Sequence, residues 1–385
     1  MIKRKMSEFV IELASQFPVL TISGPRQSGK TTLARAAFPE YDYINLEHPV
    51  AREFAHSDPE GFLDKYSDRV IIDEFQRVPE LSSYLQVHVD EQGRNGMYIL
   101  TGSNQFEYMN TISQSLAGRT AILKLLPFSY SELYKNEIHN LNGFLQQGGY
   151  PGIFDRKIKP EIFYASYIET YLQRDVRQIT NIKDLLQFEN FLKLCAGRTA
   201  QILNYTSLSN DAGIDVKTVK KWLSVLQASF IIHLLPPYYN NFSKRIIKSP
   251  KLYFYDTGVV CNLLGITKAE YLENHPLRGE IFETFVFSGL IKSLYNLGRR
   301  SNLYYWRSTN NLEVDFLADR GGNLSAIEVK FNLTPQKALF KNLQALRELS
   351  DRISDCYLVY SGIEIDKRFN AGLIGYQNID KINLL

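Results

Sequence analysis

Cysteine is scarce: Cys195, Cys261 and Cys356 are the only three in 385 residues, widely spaced and set in apolar surroundings. That excludes a disulfide framework, gives no metal-ligand spacing and suits buried thiols in a reducing cytosol. Long apolar runs are missing too, since no stretch approaches the roughly 18 consecutive apolar residues of a membrane span. The start of the chain, Met1-Ile2-Lys3-Arg4-Lys5, is basic, but Glu8 and Glu12 interrupt the apolar segment behind it. It reads as an amphipathic helix rather than a signal peptide. The expectation is a cytoplasmic protein with no membrane partner.

Neither sign of charge dominates, with 44 Lys/Arg facing 41 Asp/Glu for a net +3. The balance is uneven along the chain: residues 1–150 hold 14 basic against 18 acidic side chains, and 151–385 hold 30 against 23. Nucleic acid, if bound, belongs to the second part; the competing reading is a modestly basic solvated surface. The apolar fraction, 44%, is that of a globular protein, and the length suffices for two or three domains with their own cores.

Among what is present, Gly24-Pro25-Arg26-Gln27-Ser28-Gly29-Lys30-Thr31 matches G-x-x-x-x-G-K-[ST], the phosphate-binding loop. Backbone N–H groups must converge on phosphate oxygens there, and a Cβ at Gly24 or Gly29 would obstruct the approach. Lys30 reaches the β- and γ-phosphates, Thr31 offers a hydroxyl to Mg²⁺, and Thr32 continues into a helix whose positive dipole end faces the anion. The run 18–23 is apolar and β-rich and 32–37 has helical composition, which is the strand, loop, helix order required. ATP or GTP with Mg²⁺ is the expected cofactor.

Further strand candidates lie at 43–46, 70–74, 97–101 and 121–126, alternating with helical segments as in a doubly wound parallel sheet. Val70, Ile71 and Ile72 run into Asp73 and Glu74, about 43 residues beyond Lys30. Asp73 is read as holding the water shell of Mg²⁺ and Glu74 as the general base that polarises water; otherwise these acids cap the next helix. Ser103 or Asn104 is read as a sensor of the γ-phosphate, against a plain turn.

These motifs, together with Leu116-Ala117-Gly118-Arg119 and Pro127-Phe128-Ser129-Tyr130-Ser131-Glu132-Leu133, resemble the AAA+-type ATPase domain of a large prokaryotic family. Its members carry a C-terminal domain of unknown function. The resemblance runs on through Gly149-Tyr150-Pro151, Tyr171-Leu172-Gln173-Arg174-Asp175, Asp256 and Gly258, and Gly279, Glu280 and Glu283, over nearly the whole chain. It implies adenine rather than guanine and an additional strand between the loop strand and the acid-bearing strand. It also implies a charge-stabilising role for Arg119, in cis or donated by a neighbouring subunit, so that an oligomer is a candidate state. Arg174 is a second candidate, with an ion pair to Asp175 or Glu169 as its alternative.

Residues 151–265 read as a helical and winged-helix domain. Phe163, Tyr167, Ile168 and Tyr171 form a helical stripe; then a helix from Tyr205, a turn at Gly213 and a second helix from Lys217 outline a helix-turn-helix. Lys217, Lys220 and Lys221 face phosphates or a groove, and 230–235 suits the first strand of a wing. A protein contact or a lid is the other use of such a domain. The basic cluster Lys244, Arg245, Lys248 and Lys251 is read as serving DNA or pairing with the acidic ATPase domain.

Residues 266–385 hold a second candidate site. Glu280 and Glu283 lie on an amphipathic helix, strands are expected at 303–307, 312–317 and 326–330, and a turn falls at Gly321-Gly322. Period-two alternation puts Glu328 and Lys330 on one face, with Asp315 opposite across the hairpin. Asp315, Glu328, Lys330 and Glu283 or Glu280 resemble the motif of PD-(D/E)xK nucleases, which implies Mg²⁺ or Mn²⁺ held by the carboxylates and a lysine that orients water. Val314 departs from the proline often found before the aspartate. The alternative is an acid and a lysine shown to solvent by alternating strands.

The fold expected is thus α/β: an AAA+-like P-loop domain over 1–150, a helical and winged-helix domain over 151–265, and a restriction-endonuclease-like domain over 266–385. The function expected is Mg²⁺-dependent ATP hydrolysis coupled to a DNA-binding or nuclease-like region. The alternative is an ATP-dependent switch that binds protein or DNA through an inactive nuclease-like fold.

Overall fold

The computed structural model describes residues 2–103, 114–135, 137–171, 185–238, 249–308 and 312–385. They fall into two units: Met1–Phe128 with Ala228–Phe230 and Tyr295–Arg299, and Ser129–Gln227 with Ile231–Leu294 and Arg300–Leu385.

In the first unit, β1 (Val19–Gly24), β2 (Asp42–Asn45), β3 (Val70–Asp73), β4 (Tyr98–Ser103) and β5 (Thr120–Lys124) form one sheet. Every pairing is parallel and the order is β2-β3-β4-β1-β5. The expected extra strand, β4, therefore lies between the loop strand and the acid-bearing strand. β1, β3 and β4 are buried along their whole length, as unbroken apolar runs in a parallel sheet demand.

Alternation divides their side chains between two cores. Leu20, Ile22, Ile71 and Ile99 pack with α1 (Ser7–Ala14) and α2 (Lys30–Ala37). Val19, Val70, Ile72, Tyr98 and Leu100 pack with α3 (Pro49–Ser57), α4 (Pro59–Lys65) and α5 (Leu81–Gln92). Helices on both faces make the sheet doubly wound.

The second unit begins with α6 (Tyr130–Tyr134), whose start is a capping box: Ser129 accepts from the Glu132 amide and Glu132 accepts from the Ser129 amide. Then come α7 (Leu141–Gln147), α8 (Pro151–Asp155), α9 (Pro160–Tyr171), α10 (Leu185–Ala196), β6 (Gln201–Ile202), α11 (Tyr205–Ala212), α12 (Val216–Ala228), β7 (Ile232–Leu235), β8 (Lys251–Phe254) and α13 (Thr257–Leu263). β6, β8 and β7 form an antiparallel sheet in that order. Phe163, Tyr167, Ile168 and Tyr171 are buried, as the helical stripe predicted.

Two of the short motifs meet at one carboxylate. Asp256 caps α13 through the Gly258 amide, accepts from the Gly149 amide at 2.7 Å and takes the Tyr164 hydroxyl at 2.7 Å. A Cβ on Gly148 would stand 2.2 Å from both Asp256 Oδ1 and the Tyr164 hydroxyl, so glycine at this left-handed position (φ 66°) is demanded by packing as well as by backbone.

The last part carries α14 (Arg278–Asn296), β9 (Leu303–Arg307), β10 (Glu313–Asp319), β11 (Leu324–Lys330), α15 (Lys341–Leu349), β12 (Ile353–Tyr360), β13 (Ile365–Arg368) and β14 (Ala371–Gly375). The strand order is β13-β14-β12-β11-β10-β9, with β10 and β11 an antiparallel hairpin and β11, β12 and β14 parallel. Leu343 and Leu346 of α15 seal one face against Val314, Leu317, Ala326 and Leu358. Each buried leucine contributes roughly 1.5–3 kcal/mol.

Candidate functional site

The loop follows β1 directly and ends in Gly29 (φ 93°), the residue before α2. Packing alone already requires glycine at position 24. A Cβ there would lie 2.1 Å from the carbonyl oxygen of Leu125, just beyond the end of β5. Arg4, buried and missed in the sequence, braces the loop from outside. Its guanidinium donates to the carbonyls of Ser28 (3.1 Å) and Leu126 (2.5 Å) and lies over the Phe128 ring.

Lys30, at the start of α2, donates to the carbonyls of Gly24 (3.2 Å) and Pro25 (2.8 Å), folding its ammonium back over the loop. Thr31 donates to both oxygens of Asp73, at 3.1 and 3.0 Å. Asp73, at the end of β3, is 4% exposed and also takes the hydroxyls of Thr101 and, at 2.7 Å, Tyr43. Burial pushes the Tyr43 phenol above its ordinary range, and its bond to Asp73 adds to the shift. Asp73 is thus a buried carboxylate ringed by hydroxyls. A Thr hydroxyl beside a carboxylate is a donor set that suits Mg²⁺, with Thr31 and Asp73 as the residues to hold it.

Glu74 leaves β3 in a left-handed conformation (φ 55°), an uncommon one for a glutamate. The Gln76 amide donates to its carboxylate and to the Ser103 hydroxyl (3.1 Å), so one side chain ties the candidate base to the candidate sensor. Ser103 itself pairs with Gly24 across the β1–β4 register. Asn104 and Arg174 lie outside the described residues. Arg119 precedes β5 and its carbonyl accepts the Val19 amide, at the other end of β1 from the loop. Its guanidinium grips Asp90 with two 2.6 Å bonds. The fold therefore does not bring it to the loop of its own chain.

In the second unit Lys217, Lys220 and Lys221 line the exposed face of α12, while Val219, Trp222, Leu223 and Leu226 are buried beneath. Lys244, Arg245 and Lys248 lie outside the described residues. Lys251 corrects the reading of a surface basic cluster. It is 3% exposed, and its ammonium lies 3.2 Å from Glu283, 2.5 Å from Glu313 and 3.6 Å from Asp315.

The expected carboxylates do meet around it. Lys330 is 2.8 Å from Glu328 and 3.9 Å from Asp315, and the Val329 amide donates to Asp315 at 2.8 Å. Glu283, not Glu280, is the helix acid that joins them, and it also accepts the Tyr253 hydroxyl. Glu328 accepts from Asn342, while its Oε2 is buried without a partner. Burial and the nearby charge of Asp315 raise Glu283 to about 7 and Glu328 to about 8, against the pull of Lys251 and Lys330. For Lys251 burial favours the neutral amine, but Glu283, Asp315 and Glu313 outweigh it and hold the ammonium form. Among the described residues no group of three His, Cys, Asp or Glu side chains is placed to hold a metal ion.

Lys251, Tyr253, Glu313 and Asn342 were not singled out for this site from the sequence. The available signal was a lysine at the head of an otherwise apolar, aromatic strand, which needs a buried partner.

No described helix is long and apolar enough to cross a membrane. Residues 16–134 match the family model of an AAA domain, 138–270 a domain of unknown function (DUF8612) and 278–377 a domain of unknown function (DUF4143). Among solved structures, the Walker-type ATPase PABY2304 of Pyrococcus abyssi is similar with 14% identity and a TM-score of 0.45, over 68% of this chain and 96% of that one. AMPPCP-bound DnaA from Aquifex aeolicus has 14% identity and a TM-score of 0.30, over 58% and 85%. The uncharacterized proteins Rv2008c of Mycobacterium tuberculosis and Mb2031c of Mycobacterium bovis are each 30% identical over 324 residues, 83% of this chain and 71% of the relative. The chain belongs to the same family as these mycobacterial proteins, and its N-terminal part is an AAA-type P-loop ATPase domain.

Proposed function

We propose that this chain is a Mg²⁺-dependent ATPase whose nucleotide state controls a DNA-contacting region with a nuclease-like fold. The observation that carries the ATPase half is the convergence of Lys30, Thr31 and Asp73 at the loop, with Glu74 just past the end of β3, one strand removed from β1. Lys30 neutralises the β- and γ-phosphates, Thr31 and Asp73 hold Mg²⁺ and its water, and Glu74 accepts a proton from the attacking water. Pro25, Arg26, Gln27, Ser28 and Thr32 complete the cradle. Ser103 or Asn104 senses the γ-phosphate. Arg119 serves a nucleotide only on a second copy of the chain, since its own loop lies at the far end of β1.

The division proposed is 1–150, 151–265 and 266–385; its three-part character is supported by three family matches, whose breaks fall at 134/138 and 270/278. The order α10, β6, α11, α12, β7, β8, with β8 central in its sheet, supports the winged-helix reading of the middle. The exposed lysines of α12 support contact with a phosphate backbone. The Asp315, Glu328 and Lys330 constellation supports the nuclease-like fold. Of the two function classes, a nucleotide-dependent switch without cleavage is favoured by Lys251, a cation standing among the carboxylates.

Retention of a DNA duplex, measured without nucleotide and with ATP on the Glu74→Gln chain, tests this. A salt-sensitive difference between the two states that Lys217→Glu with Lys220→Glu removes is expected. Equal retention in both states would remove the coupling.

A further inference from the structure

Four carboxylates gather in the second unit. Glu283 comes from α14, Glu313 and Asp315 from β10 and Glu328 from β11. Three of them touch the Lys251 ammonium, which arrives from β8 of the small sheet and is buried. The fourth, Glu328, turns to Lys330 and Asn342. Mg²⁺ or Mn²⁺ takes oxygens that converge on one point at about 2.0–2.2 Å. Here the carboxylates converge on a nitrogen instead. A dication entering beside this ammonium would meet a positive charge within a few ångströms in a medium of low dielectric, where repulsion is weakly screened.

We propose that Lys251 is the resident cation of this site: it occupies the place a divalent metal would take and prevents one from binding. The site then serves as an ionic joint that fastens β8 to α14 and β10, and it performs no metal-assisted hydrolysis while Lys251 is in place. The inference rests on the nuclease-like reading of the second unit, and it is tested apart from DNA contact.

The test is Mn²⁺ binding to the full-length, nucleotide-free protein, followed by electron paramagnetic resonance. Wild type, Asp315→Asn, Lys251→Met and the double variant are compared. The loop site is the same in all four, so differences report the second unit.

Wild type and Asp315→Asn should bind Mn²⁺ alike. Lys251→Met should gain one equivalent, at least tenfold tighter than any second-unit binding by wild type, and the double variant should lose it. A wild-type Mn²⁺ site that Asp315→Asn abolishes would overturn the proposal, as would a folded Lys251→Met chain with no added site. If Lys251→Met unfolds in metal-free buffer, millimolar Mn²⁺ should restore its melting transition, and failure to do so overturns the proposal equally. Loss of DNA retention with these metal results intact would instead remove the DNA-contact reading and leave Lys251 where it is.

Discussion

Asp73 in the first unit and Asp315 in the second are both buried aspartates at the hub of a polar cluster, and they differ in what faces them. Around Asp73 the donors are the uncharged hydroxyls of Thr31, Tyr43 and Thr101. Around Asp315 stand two ammonium groups, Lys251 and Lys330, and a backbone amide. A carboxylate held by neutral donors keeps its charge for a cation that arrives later. One that folds against lysines has its counter-charge already built in, and breaking such a pair strands a buried charge. On the proposed reading, the same residue type serves ligand exchange in one unit and fixed structure in the other.

The largest effect that would sharpen this contrast is on turnover. Glu74→Gln should lower ATP hydrolysis about 10²–10⁴-fold, the usual range for loss of a general base, with ATP still bound. Steady-state phosphate release measures it, and hydrolysis at the parental rate would remove Glu74 from its role.

Next comes a pH effect confined to the second unit. Glu328 and Glu283 have folded pKa values raised to about 8 and about 7 from an ordinary 4.5. Between pH 4.5 and 8 the folded state holds more protons than the unfolded one, so stability falls as pH rises through that window. Both tryptophans, Trp222 and Trp306, belong to the second unit, so their fluorescence in urea reads its unfolding. The midpoint should drop from pH 5 to pH 8, and Glu328→Gln should flatten the slope. A midpoint that rises over this range would break the comparison.

The smallest effect is expected for Tyr43→Phe, which removes one neutral donor from Asp73. At roughly 0.5–1.5 kcal/mol for a hydrogen bond, the Mg²⁺ concentration for half-maximal ATPase activity should shift by about 2- to 10-fold. A complete loss of activity would mean that Tyr43 does more than position the carboxylate.

The two regions also differ in how much of them the sequence discloses. β1, β3 and β4 are buried on both faces, so short runs rich in apolar and β-branched residues announce them, and the loop and its acids fall at strand ends where a doubly wound sheet puts them. Tyr43 and Gln76 escaped because a single hydroxyl or amide leaves no periodic trace. The contact of Gly24 with Leu125 escaped as well, since a motif says that glycine is present but not which protein neighbour excludes a side chain. In the second unit, hairpin alternation located Asp315, Glu328 and Lys330, all within 16 residues. Lys251 comes from a strand more than 60 residues earlier, and only tertiary packing brings it to them. No strand or helix was expected beyond Lys330, where β12 and β14 complete the sheet.

The most direct measurement is calorimetric titration of the nucleotide-free protein with ATP in the presence of Mg²⁺. Wild type should release binding heat with a stoichiometry near one, and Lys30→Ala, shown by circular dichroism to be folded, should release none. Identical heats from both proteins, or none from a folded wild type, would contradict an account in which the loop between β1 and α2 holds the triphosphate.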